Sequence, residues 1–219
     1  TSCFGSTVTP LTYVPDDNFE AYLEANNMGN GIVNDDYVTT TNINTVTYLD
    51  ISSLGIYDVT GIEDMIQLDY LSCVGNFITN INITQNLQLS VLLAFDNYLQ
   101  NIDVSNNVLL DSLHIAHNPL TSLDVSQNTA LNSLFAYDGA LNTLDLRNGN
   151  NINMTIRVDA NWPLNCISVD DVSWSTANWT PLNNSINPFV TFSLNCPSPS
   201  AIQEHTTNKE LLKVTDLLG

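Results

Sequence analysis

Apolar residues recur at a fixed spacing through the middle of the chain. Two columns repeat every 21 residues, the first at Leu68, Leu89, Leu110 and Leu131 and the second at Leu71, Leu92, Leu113 and Leu134. A third column is polar and consists of Asn76, Asn97 and Asn118, with Gly139 in the fourth unit. Each unit reads LxxLxLxxNxL followed by a segment of the type TSLDVSxNTA, and four units fill residues 68–151. A fixed period of this length is the sequence signature of a repeat protein.

The alternating apolar residues of each LxL segment predict a short strand with one face turned inward. One unit cannot bury its leucines alone, whereas a stack of units can. A degenerate unit precedes the array, with Val46, Leu49, Ile51, Leu54, Ile56 and Val59 in matching columns. Another follows it, with Ile156, Val158, Asn161, Leu164, Ile167 and Val169. We therefore predict a leucine-rich-repeat solenoid of about six turns of 21–23 residues, built mostly from short parallel strands.

The two ends of such a stack need covers, because an open solenoid exposes its core and its strand edges. Residues 14–23 predict a capped amphipathic helix with Phe19, Tyr22 and Leu23 on one face. At the other end the period is lost between Cys166 and Cys196, in a segment that contains Trp174, Trp179, Phe189 and Phe192. The two cysteines bracket this aromatic segment, which favours a disulfide that holds the C-terminal cap closed.

These features divide the chain into four parts. An N-terminal segment with the helical cap covers residues 1–45, the solenoid covers 46–169, the C-terminal cap covers 166–196, and a tail covers 197–219. A hydrophobic fraction of 43% is enough for a substantial core.

The charge of the chain is strongly acidic and limits the classes of partner. The formal net charge is −19, and the four cationic residues of the chain are Arg147, Arg157, Lys209 and Lys213. DNA, RNA and anionic membrane surfaces bind cationic stripes, so we expect no nucleic-acid partner. A composition with few Lys and Arg residues and abundant Asn, Thr and Ser is common in exported bacterial surface proteins. No apolar run approaches the roughly 18 residues of a membrane span.

Signals for catalysis or metal binding are sparse, and we expect a protein that is not an enzyme and has no cofactor. The cysteine spacing does not match a zinc site, and Cys73 lies in an inward column where a buried free thiol is favoured. Cys3 has no evident partner. His114 and His117 are spaced as HxxH, yet on a strand and turn they point in different directions. No metal site is therefore predicted from them.

A second polar column offers a possible cation site. Asp103, Asp124 and Asp145 form a ladder of like charges in line with Asn82. Such a ladder is costly unless a cation such as calcium binds it, and the sequence leaves open whether calcium does so.

The outward positions of the LxxLxL strands carry the candidate binding site. A solvated face would be polar, but these positions include a mixed apolar and aromatic set: Tyr70, Leu93, Phe95, His114, Phe135 and Tyr137. They lie on what is normally the concave side of such a solenoid, where patches of this kind often mark partner or ligand surfaces. Scattered surface hydrophobics, or cover by the N-terminal segment, are the alternative interpretations.

The repeats resemble the secreted leucine-rich-repeat proteins of Bacteroidota, whose units read LTSLDVSxNTALxxLxCxxNxL. The matching segments are Leu120–Leu131, the Cys73 position, Val14–Glu20, Thr60–Asp64, Cys166–Val172 and Ser175–Trp179. The resemblance covers about residues 14–196. It implies an exported protein, located at the cell surface, in the outer membrane or outside the cell.

The tail after Pro197-Ser198-Pro199-Ser200 has a different character. Residues 211–219 read LLKVTDLLG, which resembles the start of a C-terminal sorting domain of the type IX secretion pathway. This resemblance implies that residues 197–219 are a linker and the start of that domain, that the chain is truncated or processed, and that the type IX machinery is a partner. A short amphipathic C-terminal helix is the alternative.

Two classes of function remain after these exclusions, together with a structural role. A scaffold with an apolar patch and without catalytic groups favours a cell-surface or secreted recognition module that binds a protein. Aromatic rings also stack on sugars, so a glycan-binding module for polysaccharide capture is the alternative. The patch holds Phe rather than Trp, which favours the protein partner. A surface spacer with no saturable ligand is the third possibility.

Overall fold

The structure is a computed structural model that describes residues 9–197. Cys3, the tail from residue 198 onward, and therefore the segment that resembles a sorting domain lie outside the described residues. The helices and strands are β1 Leu11–Tyr13, α1 Asp17–Ala25, β2 Tyr37–Thr39, α2 Thr40–Ile43, β3 Tyr48–Asp50, β4 Tyr70–Ser72, β5 Val91–Leu93, β6 Ser112–His114, β7 Ser122–Asp124, β8 Ser133–Phe135, β9 Thr143–Asp145, β10 Thr155–Arg157, β11 Cys166–Ser168, α3 Val172–Asn178 and β12 Thr191–Ser193.

The predicted stack of short strands forms a six-stranded parallel sheet, in the order β10-β8-β6-β5-β4-β3. Each strand has three residues, and the middle residue of every strand is buried: Leu49, Leu71, Leu92, Leu113, Leu134 and Ile156. Equivalent positions of successive turns are direct neighbours, so that Leu71 pairs with Leu92 and Leu92 with Leu113. The leucine-rich-repeat solenoid is thereby confirmed, and we call the outward side of this sheet the six-stranded face.

The second half of each unit forms another parallel sheet. Its strand order is β12-β11-β9-β7. The middle residues of β7, β9 and β11 are buried, and they are Leu123, Leu144 and Ile167. These residues belong to the same core as the leucines of the six-stranded sheet. The core is therefore continuous along the stack, which explains why one isolated turn could not bury it.

The column of asparagines after the first strand of each turn joins adjacent turns. The side-chain amide of Asn97 accepts a hydrogen bond from the backbone N–H of Ile78 at 3.0 Å and donates to the carbonyl of Cys73 at 2.9 Å. Asn118 makes the same two bonds to Leu99 and Ala94. The backbone N–H and C=O groups of these turns are buried and cannot bond to water, so the asparagine side chains satisfy them instead.

A second asparagine ladder, which the sequence pattern did not single out, runs through the other half of the turns. Asn86, Asn107 and Asn128 are fully buried. The amide of Asn107 donates to the carbonyls of Ile83 and Asn86, and Asn128 repeats this pattern one turn later. The asparagine of the TSLDVSxNTA segment is therefore a structural residue rather than a surface one.

One position of the degenerate first unit differs from the sequence prediction. The period places Leu54 among the apolar columns, but Leu54 is 38% exposed. Its position corresponds to the asparagine column, and its N–H donates to Asn76 Oδ1 of the next turn. The backbone of Leu54 is used for stacking, while its side chain is not part of the core.

The helical cap lies where the sequence predicts it. Helix α1 begins after Asp16, whose Oδ1 accepts the N–H groups of Asn18 and Phe19. The Oδ2 atom of Asp16 accepts the N–H groups of Tyr57 and Asp58 in the first turn of the solenoid. One carboxylate therefore begins the helix and also fixes it to the repeat that it covers.

The C-terminal cap is closed by the predicted disulfide between Cys166 and Cys196. Helix α3 packs beside β12, and Trp179 is buried against Phe192 with ring centroids 5.9 Å apart. The cap also continues the stack, because β12 pairs in parallel with β11 and Asn187 donates to the carbonyl of Asn161. The buried thiol predicted at Cys73 is observed, and burial raises the pKa of that thiol to about 12.

Candidate functional site

The six-stranded face carries an apolar row across its third strand positions. The register pairs Leu93 with His114, His114 with Phe135, and Phe135 with Arg157. The rings of His114 and Phe135 stack with centroids 4.4 Å apart and planes 14° apart. Leu93, His114 and Phe135 are all half-buried, so they present a tightly packed surface with a limited exposed area.

Phe95 and Tyr137 each lie two residues beyond this row on the same face, and one turn separates the two turns that carry them. The guanidinium of Arg157 lies 3.8 Å from the centre of the Tyr137 ring, and Arg157 also pairs with Asp159. Ala116, which alternation places outward between these two aromatic residues, is buried. A methyl group between two larger neighbours in the same row is covered by them.

Tyr70 lies elsewhere on the same sheet. Its ring stacks on Tyr48 with centroids 4.5 Å apart, and its strand position pairs with Tyr48 on one side and Val91 on the other. The sequence reasoning missed Tyr48, although its place in the column 22 residues before Tyr70 was a usable signal. The predicted residues therefore form two groups: one around His114 and Phe135, and one that pairs Tyr70 with Tyr48.

His114 belongs to the apolar group in its chemistry as well as its position. Its Nε2 lies 3.0 Å from the Ser133 hydroxyl, and burial lowers the pKa of the imidazole from its ordinary value of 6.5. The ring is therefore neutral at neutral pH and packs as a flat, weakly polar group.

The two histidines of the HxxH pattern have different neighbours. His117 Nδ1 lies 3.2 Å from Asp138, and its ring meets Tyr137 edge-on with centroids 5.2 Å apart. His117 has a positive φ of 55°, as do Asp96 and Asp138 at the equivalent places in their turns. This left-handed column turns His117 away from the strand that carries His114.

The aspartate ladder is explained by turn geometry. Asp103, Asp124 and Asp145 each accept the N–H of the residue two positions later. Asp145 also pairs with Arg147, whose hydrogen bond to the carboxylate lowers the pKa of Asp145. Among the described residues, one group of three acidic side chains could hold an ion, namely Asp17, Glu20 and Asp36. Its buried member, Glu20, already accepts the N–H groups of Asp35 and Asp36.

The sequence reasoning also missed a row of exposed aromatic residues on the turns. Tyr57 stacks on Phe77 at 4.8 Å, and Phe77 stacks on Tyr98 at 6.2 Å. Phe77 and Tyr98 directly follow ladder asparagines, so the 21-residue period itself would have found this column. The exposed fractions are 62% for Tyr57, 40% for Phe77 and 55% for Tyr98.

Across residues 9–197, the helices are all too short or too polar to cross a membrane. No family model matches this chain, and no curated protein matches it either.

The fold is similar to solved structures of leucine-rich-repeat proteins. One is the functional domain of InlJ from Listeria monocytogenes, which includes a cysteine ladder; it is 26% identical, with a TM-score of 0.62 over 88% of this chain and 48% of that one. Another is the internalin InlF from Listeria monocytogenes, 21% identical, with a TM-score of 0.51 over 82% of this chain and 56% of that one. This chain spans about half the length of each of these two structures.

The cysteine content of the core distinguishes this chain from a protein with a cysteine ladder. In the described residues, the inward column that contains Cys73 continues with Ala94, Ile115 and Ala136. These small and branched side chains fill the column, so a single thiol takes part in the packing.

Proposed function

We propose that this chain is a non-catalytic recognition module that binds a protein partner through the six-stranded face. The observation that carries the proposal is the row formed by Leu93, His114 and Phe135, in which apolar and neutral aromatic groups occupy outward positions in register. The likeness to internalin structures supports a recognition role for the scaffold.

The shape of this surface favours a protein over a glycan. Sugars stack on the faces of aromatic rings, but His114 and Phe135 cover one another, with their planes only 14° apart. One face of Tyr137 is already occupied by Arg157. These two contacts reduce the ring faces that are open to a sugar, whereas an apolar row of this kind complements apolar side chains of another protein.

The residue types on this face are those that are common in protein-binding surfaces. Arg157 adds a guanidinium next to Tyr137, and aromatic residues and Arg are the types that are enriched in interface cores. Because these side chains already pack against each other, a partner would order few additional rotamers on binding.

We further propose that the chain is exported to the cell surface or outside the cell through type IX secretion. The support is the resemblance of residues 211–219 to the start of a sorting domain, together with the repeat pattern. Detection of the native full-length protein, with its complete C-terminal region, outside a type IX host and outside its secretion-deficient mutant tests this. Equal amounts outside both kinds of cell would reject the route.

Binding by the six-stranded face is tested in two steps. First, the full chain carrying a photo-crosslinking amino acid at position 135 is exposed to cell-surface extracts, and the attached protein is identified. The purified partner is then titrated against wild type and against a Phe95→Ala, Phe135→Ala double variant. We expect the double variant to lose about tenfold or more in affinity, because central aromatic residues dominate interface energies.

The matched control is the Leu87→Ala, Leu109→Ala double variant. These two leucines are each 49% exposed and lie on turns away from the six-stranded face. Equal affinities for wild type and both double variants would reject the proposal. Saturable binding of an oligosaccharide that depends on Phe95 and Phe135 would establish the glycan alternative, and the absence of any saturable ligand would leave the spacer role.

A further inference from the structure

The exposed aromatic column on the turns is interrupted in the middle of the solenoid. The residues that follow the asparagine ladder are, in order, Phe77, Tyr98, Pro119, Ala140 and Trp162. Tyr57, Phe77 and Tyr98 stack with planes 21° and 16° apart, and the stack ends at Tyr98. Aromatic residues resume at Trp162, which is 72% exposed and stacks with Phe189.

A shallow, open depression, which we call the recess, lies where the two rings are missing. It is lined by Asn97, Tyr98, His117, Asn118, Pro119, Asp138 and Gly139. The Phe77 ring, on the preceding turn, lies 6.2 Å from the Tyr98 ring, whereas the recess towards the following turns is lined by Tyr98 and not by Phe77. At about 5 Å per turn, Tyr98 and Trp162 are about 15 Å apart along the stack, which is wide enough for a flat group to lie against Tyr98.

The recess is acidic. Asp138 lines it with 62% of its side chain exposed, and its Oδ2 lies near His117 Nδ1. Asp96 borders the adjoining recess between Phe77 and Tyr98 and is also exposed. In residues 9–197 the Lys and Arg side chains are those of Arg147 and Arg157, which pair with Asp145 and Asp159. The carboxylate of Asp138 therefore has the imidazole of His117 as its basic neighbour, and neither arginine of the described residues is paired with it.

The same chain shows one complete arrangement of ring, carboxylate and guanidinium. The guanidinium carbon of Arg157 lies 3.8 Å from the centre of the Tyr137 ring, while its Nε donates to Asp159 at 3.0 Å. At the recess, Tyr98 supplies the ring and Asp138 supplies the carboxylate, and no arginine of the described residues supplies the third group.

We propose that this recess binds the guanidinium of an arginine in a basic segment of a partner polypeptide. A guanidinium is planar and weakly hydrated, so it stacks on a tyrosine face while its N–H groups donate to a carboxylate. Lysine has a compact, strongly hydrated charge and fits such a slot less well. A neutral sugar would gain nothing from the acidic charge around the recess. The proposal does not depend on the six-stranded face.

The test uses the full chain and small probes with a single charge, because a polycation would bind any strongly acidic protein. The peptides acetyl-Gly-Arg-Gly-amide and acetyl-Gly-Lys-Gly-amide are titrated by NMR at about 0.15 M salt, where long-range attraction is screened. We expect saturable amide shifts at Tyr98, His117, Asp138 and Gly139 with the arginine peptide. The lysine peptide should bind more weakly at these positions.

Two variants and two matched controls separate stacking from general attraction. Tyr98→Leu removes the ring face and Asp138→Asn removes the charge, and each should weaken the arginine peptide by roughly two- to fivefold. Asn tolerates the positive φ of 53° at position 138, so the turn is retained. Tyr57→Leu, at the far end of the column, and Asp58→Asn, which is also exposed, should leave binding unchanged.

The proposal is overturned if the arginine and lysine peptides bind equally, or if Tyr98→Leu and Tyr57→Leu weaken binding equally. It is also overturned if cellotetraose, and not the arginine peptide, shifts the recess amides. Failure of the Phe95→Ala, Phe135→Ala test would leave these results unaffected, because those residues do not line the recess.

Discussion

The amide of Asn161 occupies the space that a side chain at position 139 would need. A Cβ atom built on Gly139 would lie 2.9 Å from Asn161 Oδ1 and 3.0 Å from the carbonyl oxygen of Asn118. Asn161 cannot move away easily, because it accepts the N–H of Leu141 and donates to the carbonyls of Ala136 and Val158. The gap in the repeat consensus at Gly139 is thus a packing requirement set by the turn that follows it.

Restoring the consensus should therefore destabilise the protein. We expect Gly139→Asn to lower the free energy of unfolding by about 1–3 kcal/mol, the usual range for overpacking a filled site. Urea denaturation of the variant and of wild type measures the difference. A Gly149→Asn variant is the control: a Cβ there meets nothing within 4 Å, so this variant has only the cost of placing Asn at a positive φ of 77° and should be destabilised less. A stabilised Gly139→Asn variant would contradict the close contact.

The asparagine ladder should account for a large part of the cohesion between turns. Asn97→Ala leaves the buried N–H of Ile78 without its acceptor, and it removes one of the two amide donors of the Cys73 carbonyl, which keeps its bond from Asn76. An unsatisfied buried group costs about 1–3 kcal/mol, so we expect a loss of at least that size in urea denaturation. Asn80→Ala, at an exposed position, should change stability by less than about 0.5 kcal/mol. Equal losses from the two variants would exclude the ladder as a source of stability.

These contacts show which parts of the structure the sequence could predict. The leucine columns gave the solenoid because a strict period with inward leucines has one way to bury them. The period could not show that Asn161 reaches into the place of residue 139, since that contact depends on the side-chain position of Asn161 on the following turn. The candidate site was predicted as one patch, but stacking on Tyr48 separates Tyr70 from the row at His114. Pairing between aromatic side chains is decided by rotamers, which the sequence does not specify.

The attachment of the helical cap should depend on Asp16. Asp16→Ala removes the acceptor for the first turn of α1 and for the N–H groups of Tyr57 and Asp58. Loss of an N-cap alone costs about 0.5–2 kcal/mol. We expect hydrogen exchange to become faster at Phe19 and also at Tyr57 in this variant. Asp17→Ala, one position into the helix, should leave the Tyr57 amide unchanged; equal exchange there in both variants would show that Asp16 does not join the cap to the solenoid.

Reduction of the Cys166–Cys196 disulfide should loosen the C-terminal cap before the rest of the stack. The bond closes a loop with a sequence separation of 30, for which roughly 2–4 kcal/mol of stabilisation is typical. After reduction we expect faster hydrogen exchange in α3 and β12 and little change in β4 to β6. Cys73 should resist iodoacetamide in the folded protein, since its thiol is buried with a pKa of about 12. A Cys166→Ser, Cys196→Ser variant should be insensitive to the reductant, and uniform loss of protection along the solenoid would contradict a local clamp.

Protonation of His114 should weaken the folded protein at mildly acidic pH. Burial against Phe135 lowers the pKa of this imidazole below 6.5 in the folded state, so the unfolded chain takes up the proton first as the pH falls. The contribution is fully present above about pH 6.5 and is lost as the pH falls from there towards the folded-state pKa. Relative to a His114→Gln variant, which stays neutral, wild type should therefore lose free energy of unfolding between about pH 7 and pH 5. Urea denaturation at several pH values measures this difference, and an NMR titration of the His114 ring gives the pKa directly. Parallel stability profiles for the two proteins, or a His114 pKa at or above 6.5, would show that burial does not lower the pKa of this ring.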